Sequence, residues 1–167
     1  MAGDERTGDV DELAEGVRLR FRRRWPRPVP DVWAALTEPD RLARWVGTYD
    51  GDRGTGATGV LTMTHEEQSI GESVHIVSCE APARVPARLV VEWDTEEGWR
   101  VELVLERASG ETELTFTQVF PAGTDVVDVA LGWHWYLDKL DAEVTGGPVP
   151  PAWEDFLADV GPAYGRG

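Results

Sequence analysis

Three polar side chains interrupt faces of predicted strands that are otherwise apolar, at positions where they could act on a bound molecule. His65 continues an apolar strand face, Gln118 stands in line with two phenylalanines, and Arg23 lies between two inward aromatic residues. An imidazole can carry a proton, an amide can donate and accept hydrogen bonds, and a guanidinium can bind an anion. Each of the three could instead lie at the rim of the sheet or bond to a neighbouring strand, with no ligand involved.

The spacing of the other reactive residues does not indicate metal, nucleophile or nucleotide chemistry. His65, His75 and His134 are too far apart for a local metal-ligand pattern, and a lone Cys79 in a strand is typical of a small buried hydrophobe. The stretch "GTGATG" at 54–59 fits the letters of the dinucleotide-binding motif. That motif needs a strand before it and a helix after it, whereas here a helix precedes and a strand follows. We predict a flexible loop there, no cofactor, no metal and no catalytic residue.

Length and charge limit the classes of partner. The chain has 167 residues, enough for one domain, and its 31 acidic residues against 16 Lys and Arg give a net charge of -15. A surface of that sign does not favour nucleic acid. Neither a signal peptide nor an apolar run of membrane-spanning length is evident, and one cysteine suits a reducing compartment. We expect a cytoplasmic protein that inserts in no membrane.

Alternation of apolar and polar residues predicts the elements that position these side chains. "GVRLRFRRRW" is a half-buried strand, whose outward arginines we expect to pair with carboxylates on neighbouring strands. Prolines 30 and 39 then delimit two short helices. Short turns between later alternating segments predict an antiparallel meander. Its strands are expected at about 59–66, 71–80, 87–94, 99–107 and 111–120.

A long amphipathic helix is predicted from about 123 to 146. At about 100° per residue, its apolar residues form one stripe that includes Trp133, while Trp135 points to the far side. An exposed Trp135 would place a large apolar ring in water, so we expect other residues to cover it. "GGPVPP" ends the helix, and the following "AWEDFL" has one apolar face. We expect this segment to fold back over Trp135, although a partner chain could cover it instead.

The order of these elements is similar to that of the helix-grip fold of the START and Bet v 1-like superfamily. "VPDVWAALTEPDRLARWVG" resembles the opening signature of the domain named after activators of the heat-shock protein 90 ATPase, and "GWHWYLDKLDA" resembles its closing signature. The resemblance covers roughly residues 16 to 145. It implies an α+β fold with two short helices after the first strand and a curved antiparallel sheet wrapped around a long C-terminal helix.

The resemblance also divides the chain and implies a ligand cavity between sheet and helix. We expect a flexible acidic arm at 1–15, the helix-grip domain at 16–146, and a C-terminal extension at 147–167 that packs back on it. Such pockets have apolar walls and few polar groups. The residues expected to line the cavity are Trp45, Met63, His65, Trp93, Phe116, Gln118, Trp133 and Leu137.

The leading functional hypothesis is that this cavity binds a hydrophobic or aromatic small molecule, without catalysis. The first alternative is a cyclase, aromatase or hydrolase that acts in the same cavity through His65, Gln118 or Arg23. The second is a protein-interaction module that binds a chaperone or a second copy of the chain. In eukaryotic members chaperone activation also involves a separate N-terminal domain, for which this sequence has no room.

Overall fold

The computed structural model describes residues 6–66, 69–80 and 86–165. Within these ranges the chain forms an eight-stranded antiparallel sheet, four α-helices and a final 3-10 turn. In chain order the elements are β1 Asp9–Leu13, β2 Gly16–Trp25, α1 Val29–Thr37, α2 Pro39–Trp45, β3 Thr48–Gly51, β4 Thr58–Thr62, β5 Gly71–Glu80, β6 Ala87–Trp93, β7 Arg100–Ala108, β8 Glu111–Phe120, α3 Val127–Thr145, α4 Trp153–Val160 and the 3-10 turn Gly161–Tyr164.

The sheet has the order β1-β2-β8-β7-β6-β5-β4-β3, so β2 pairs with the last strand of the meander. The register brings apolar residues of neighbouring strands opposite one another on the inner face, as in Leu103 opposite Phe116 and Leu105 opposite Leu114. Each of these residues is buried. The predicted helix-grip fold, with its curved antiparallel sheet and long C-terminal helix, is confirmed.

A β-bulge in β5 changes which residues face inward. Ile76 lies opposite Val91 and Ser78 lies opposite Val90, so Val77 is the additional residue. Strict alternation would put Cys79 and Ile76 on opposite faces. The extra residue shifts the alternation by one and places Cys79 on the inner side, and it also bends the strand.

The two short helices follow from their prolines. Pro30 lies in the first turn of α1, where a missing N–H costs nothing, and Pro39 opens α2. Glu38 between them is extended, with φ −82° and ψ 129°, as expected for a residue that precedes proline. The helices are therefore separate, and both contribute side chains to the core.

Helix α3 is buried on more than the single stripe that the sequence predicts. Trp133, Leu137 and Leu140 face the core as expected, but His134 and Trp135 are also buried. The cause is the C-terminal segment. The Trp135 ring lies 5.2 Å from the Trp153 ring, and its Nε1 donates to the Pro151 carbonyl oxygen at 3.0 Å. Trp135 is only 7% exposed as a result.

The N-terminal segment differs from the flexible arm expected at 1–15. Residues 9–13 form β1, an edge strand antiparallel to β2, and Arg18 donates to Asp11 at 3.0 Å across the pair. Its sequence "DVDEL" has no apolar face to bury, so periodicity did not reveal it. Backbone hydrogen bonds and this ion pair hold the strand instead. Residues 1–5 of the predicted arm lie outside the described residues.

Candidate functional site

A cavity of about 120 Å³ lies between the inner face of the sheet, helices α1 and α2, and one side chain of α3. Strands β3 to β8 all contribute to its wall, because curvature brings their inward residues around one space. The lining residues are Leu36, Thr37, Leu42, Trp45, Val46, Tyr49, Arg53, Gly54, Leu61, Val74, Ile76, Cys79, Leu89, Val91, Trp93, Val101, Leu103, Phe116 and Trp133.

The wall is almost entirely apolar, and two of its three indoles use their N–H groups within the protein. Trp45 Nε1 donates to the Ala35 carbonyl oxygen at 2.7 Å, and Trp133 Nε1 donates to Gln118 Oε1 at 2.9 Å. Both indoles therefore satisfy their only donor elsewhere and present ring surface to the cavity. A molecule held here would be recognised mainly by apolar contact.

Aromatic rings form one connected part of the wall. The Trp133 ring lies 4.9 Å from Phe116 and 6.3 Å from Trp93, and Trp93 lies 6.3 Å from Trp99. Tilted and edge-to-face contacts of this kind fix ring orientations. The rings are therefore a rigid surface on which a flat molecule could stack.

Four of the eight residues predicted to line the cavity lie on its wall: Trp45, Trp93, Phe116 and Trp133. Whether they contact a ligand stays a prediction. Each is on an inward face that the sequence pattern identified, on α2, β6, β8 and α3 respectively. In these elements, strand alternation and helical spacing extend over enough residues to identify an inward face.

The structure places Met63, Gln118 and Leu137 off the wall. Gln118 is 1% exposed and faces inward, but its side-chain oxygen is used by Trp133. Leu137 is fully buried on α3, and Met63 is a partly buried residue after β4 that packs against the core. A residue on an inward face can fill the core between sheet and helix without reaching the open space, and these three do so.

His65 also lies off the wall, against the helices. Its Nε2 lies 3.2 Å from the Ala43 carbonyl oxygen, and its ring packs against Tyr136. Burial lowers the pKa of His65, the hydrogen bond with Ala43 opposes this, and the charge of Lys139 lowers it further. Its contacts attach the loop after β4 to α2 and α3.

A hydrogen bond between Tyr136 and Glu66 holds the same loop. The Tyr136 hydroxyl donates to Glu66 Oε2, and burial together with the carboxylate raises the pKa of the tyrosine well above its ordinary value. The sequence analysis did not identify this pair. It joins residues 70 positions apart, and neither stands out from a local pattern.

Arg23 is held by helix α3, away from the cavity wall. Its Nη1 donates to Asp138 at 2.9 Å and to Asp141 at 2.5 Å, and the side chain of Trp25 also donates to Asp141. Burial raises the pKa of Asp141 above its ordinary value, although the charge of Arg23 opposes the rise. This network joins β2 to α3.

Arg53, Cys79 and Tyr49 are wall residues that the sequence analysis did not propose. Tyr49 belongs to β3, which is too short to show alternation, and the bulge in β5 brings Cys79 inward. Burial raises the pKa of the Cys79 thiol, and the positive charge of Arg53 opposes this. Arg53 and Gly54 come from the loop between β3 and β4.

Within 6–66, 69–80 and 86–165, no cluster of three His, Cys, Asp or Glu side chains is arranged to bind a metal ion. Across the same part of the chain, none of the helices combines the length and the apolar character required to span a bilayer.

Comparison with known proteins identifies relatives along most of this fold. The sequence profile of the family described as "Activator of Hsp90 ATPase homolog 1-like protein" matches residues 26–145, from just before α1 to the end of α3. No curated protein matches the chain.

Solved structures share the fold. CalU16 from Micromonospora echinospora is 26% identical over 95% of this chain and 93% of its own, with a TM-score of 0.70. The protein encoded by BPP1335 from Bordetella parapertussis is also 26% identical, over 98% of this chain and 94% of its own, with a TM-score of 0.73. DynU16, from the dynemicin biosynthetic locus, is 25% identical over 78% of this chain and 48% of its own, with a TM-score of 0.64.

The profile match spans the two short helices, the meander and the long helix that together enclose the cavity. The chain therefore belongs to the family of proteins like the activator of Hsp90 ATPase homologue 1.

Proposed function

We propose that the protein binds an apolar or aromatic small molecule in the cavity between the sheet and helices α1, α2 and α3. The observation that carries this proposal is the cavity itself: a space of about 120 Å³ whose wall is formed by aliphatic side chains and aromatic rings. Two of its three wall indoles donate to Ala35 and Gln118, which leaves few polar groups to hold water there. A poorly hydrated apolar space favours an apolar occupant.

The volume indicates the size of the occupant. An engineered apolar cavity of about 150 Å³ in another protein binds benzene, so the present cavity suits roughly one ring. Burial of about six ring carbons, at about 0.8 kcal/mol each, contributes about 5 kcal/mol. Such a contribution corresponds to a dissociation constant between about 1 mM and 0.1 mM. Tighter binding would require parts of the ligand that extend beyond the cavity.

One relative supports a small-molecule role. DynU16 comes from the dynemicin biosynthetic locus, and we infer from that setting a small-molecule role for the present chain. Its similarity covers less than half of its own length, so the ligand of the present chain is inferred from the cavity and not from that relative.

The enzymatic alternative needs an acid or base at the cavity. His65, Gln118 and Arg23, which the alternative used, are each bonded elsewhere in the protein. Along the described part of the wall, no two ionisable side chains share a hydrogen bond. No observation therefore favours a cyclase, aromatase or hydrolase over binding. Chaperone binding, a homodimer and a cytoplasmic location stay predictions from the sequence.

The proposal is tested by thermal unfolding of the protein with a library of single-ring apolar compounds. A compound at 100 times its dissociation constant stabilises the folded state by about 2.7 kcal/mol, which raises the unfolding temperature measurably. The replacement Leu103→Trp should fill the cavity and abolish the effect. Val104→Trp, on the outer face of the same strand, should leave it intact.

Failure of every compound to stabilise the wild-type protein would contradict the proposal. So would stabilisation that persists in Leu103→Trp, provided that circular dichroism shows the variant to be folded. Native mass spectrometry of protein purified from its own cells would then identify whatever the cavity retains.

A further inference from the structure

The cavity wall carries one charged side chain among the residues that the structure describes, Arg53. It lies in the loop between β3 and β4, with an exposed side chain, and Gly54 beside it also lines the cavity. Its Nη1 approaches the Thr37 carbonyl oxygen at 3.3 Å, at the end of α1. We refer to these three lining residues, Thr37, Arg53 and Gly54, as the mouth of the cavity.

The guanidinium of Arg53 retains most of its hydrogen-bonding capacity. Apart from the long contact with Thr37, none of its five donors bonds to a described residue, and it forms no ion pair with a described carboxylate. This contrasts with Arg41, which pairs with both Asp31 and Glu143. In a chain of net charge -15, an arginine at a cavity with no described carboxylate partner keeps donors available for an anion from outside.

The loop that carries Arg53 is fixed to the sheet beside the cavity. Gly56 N donates to the Ile76 carbonyl oxygen at 2.8 Å, and Cys79 N donates to Thr55 Oγ1 at 2.9 Å. Both partners on β5 also line the cavity. These bonds keep the loop, and with it Arg53, next to the mouth.

The positive charge of Arg53 lies near enough to Cys79 to affect the pKa of its thiol. Its field opposes the rise in the pKa of the Cys79 thiol that burial causes, so the guanidinium influences a group on the wall itself. The same field would act on a ligand atom located between them.

We propose that the ligand is an aromatic or apolar acid, with its ring in the cavity and one anionic group at the mouth on Arg53. This inference rests on the proposed function. An exposed guanidinium and carboxylate contribute up to about 1 kcal/mol, and thus up to about fivefold in affinity. Arg53 therefore selects among molecules whose rings the cavity accepts equally.

The test compares ring compounds that differ only in charge. Dissociation constants of benzoate and benzamide, and of phenylacetate and phenylacetamide, are measured at low salt from the quenching of tryptophan fluorescence. The anion preference is the ratio of the amide's dissociation constant to that of its acid. The proteins are the wild type, Arg53→Gln, Arg53→Lys and, as a control with the same change in net charge, Arg22→Gln on the outer face of β2.

We expect an anion preference above one and up to about fivefold in the wild type and in Arg22→Gln, a ratio near one in Arg53→Gln, and partial retention in Arg53→Lys. The amides should bind Arg53→Gln as they bind the wild type. Equal binding of acid and amide by the wild type, or an unchanged preference in Arg53→Gln, would overturn this inference and leave the proposed function intact. Binding of neither acid nor amide would contradict both.

Discussion

Arg23 is a buried charge that depends on the carboxylates of α3. Its side chain is 3% exposed, and Asp138 and Asp141 hold it. Replacement by Ala would remove the buried cation that both carboxylates contact and leave a cavity beside them. We expect the free energy of unfolding to fall by about 3 to 5 kcal/mol, measured by urea denaturation.

The adjacent Arg24 provides the control for this experiment. It pairs with Glu113 at 2.8 Å, but its side chain is 52% exposed, so Arg24→Ala should cost at most about 1 kcal/mol. Similar losses in the two variants would show that the buried network contributes no more than an ordinary surface pair, contrary to this account.

His65 should make stability depend on pH. Burial lowers its pKa below the ordinary value of 6.5, so between the folded pKa and 6.5 the unfolded chain binds more protons. Protons then favour unfolding, and stability is lost as the pH falls from 6.5 through the folded pKa. His65→Gln should weaken this dependence in urea unfolding measured at successive pH values.

The exposed His75 on β5 supplies the comparison, since His75→Gln removes an imidazole that is not packed against the helices. An identical pH dependence for the wild type, His65→Gln and His75→Gln would contradict the assignment to His65.

At the scale of single residues, the inward positions were predictable and the partners of polar residues were not. Alternation identified the faces that carry Trp93 and Phe116 because it depends only on sequence spacing. Whether Gln118 binds a ligand or Trp133 depends on a distance of 2.9 Å between two elements, which no local pattern contains. The same holds for Arg23 and the carboxylates of α3.

Helix α4 matters to the fold as the cover of α3. Phe156 is 1% exposed, and its ring lies 5.4 Å from His134 and 5.7 Å from Trp153. Phe156→Ala should lower the free energy of unfolding by about 3 to 5 kcal/mol, the usual cost of a deleted buried aromatic ring.

Val149, in the segment between α3 and α4, is 71% exposed, and its replacement serves as the control. Val149→Ala should change stability by less than about 0.5 kcal/mol. A loss below about 1 kcal/mol in Phe156→Ala would show that α4 is dispensable for the packing of α3.

Among the elements, sequence predicted those that are long and strongly patterned. Strands β5 and β8 have the predicted bounds, and the helix pair ends where its prolines require. Strands β1 and β3 were missed because one has no apolar face and the other has four residues. The bulge at Val77 was also missed, and with it the position of Cys79 on the cavity wall.

In the whole molecule, the surroundings of α3 divide into two parts. Trp133 faces the cavity, while Asp138 and Asp141 hold Arg23 and Trp135 lies under the C-terminal segment. The proposed binding site and the charge network therefore involve different residues of one helix. Substitutions in the charge network should reduce stability without changing the preference among ligands, whereas substitutions of the wall should change binding first.

The indole N–H signals of the eight tryptophans, followed by NMR during titration with benzoate or benzamide, test the central claim most directly. Trp45, Trp93 and Trp133 line the cavity, whereas Trp25, Trp135 and Trp153 lie elsewhere and act as internal controls. The account predicts saturable shifts confined to the first three. Shifts confined to the second three, or none at saturating ligand, would contradict binding in this cavity.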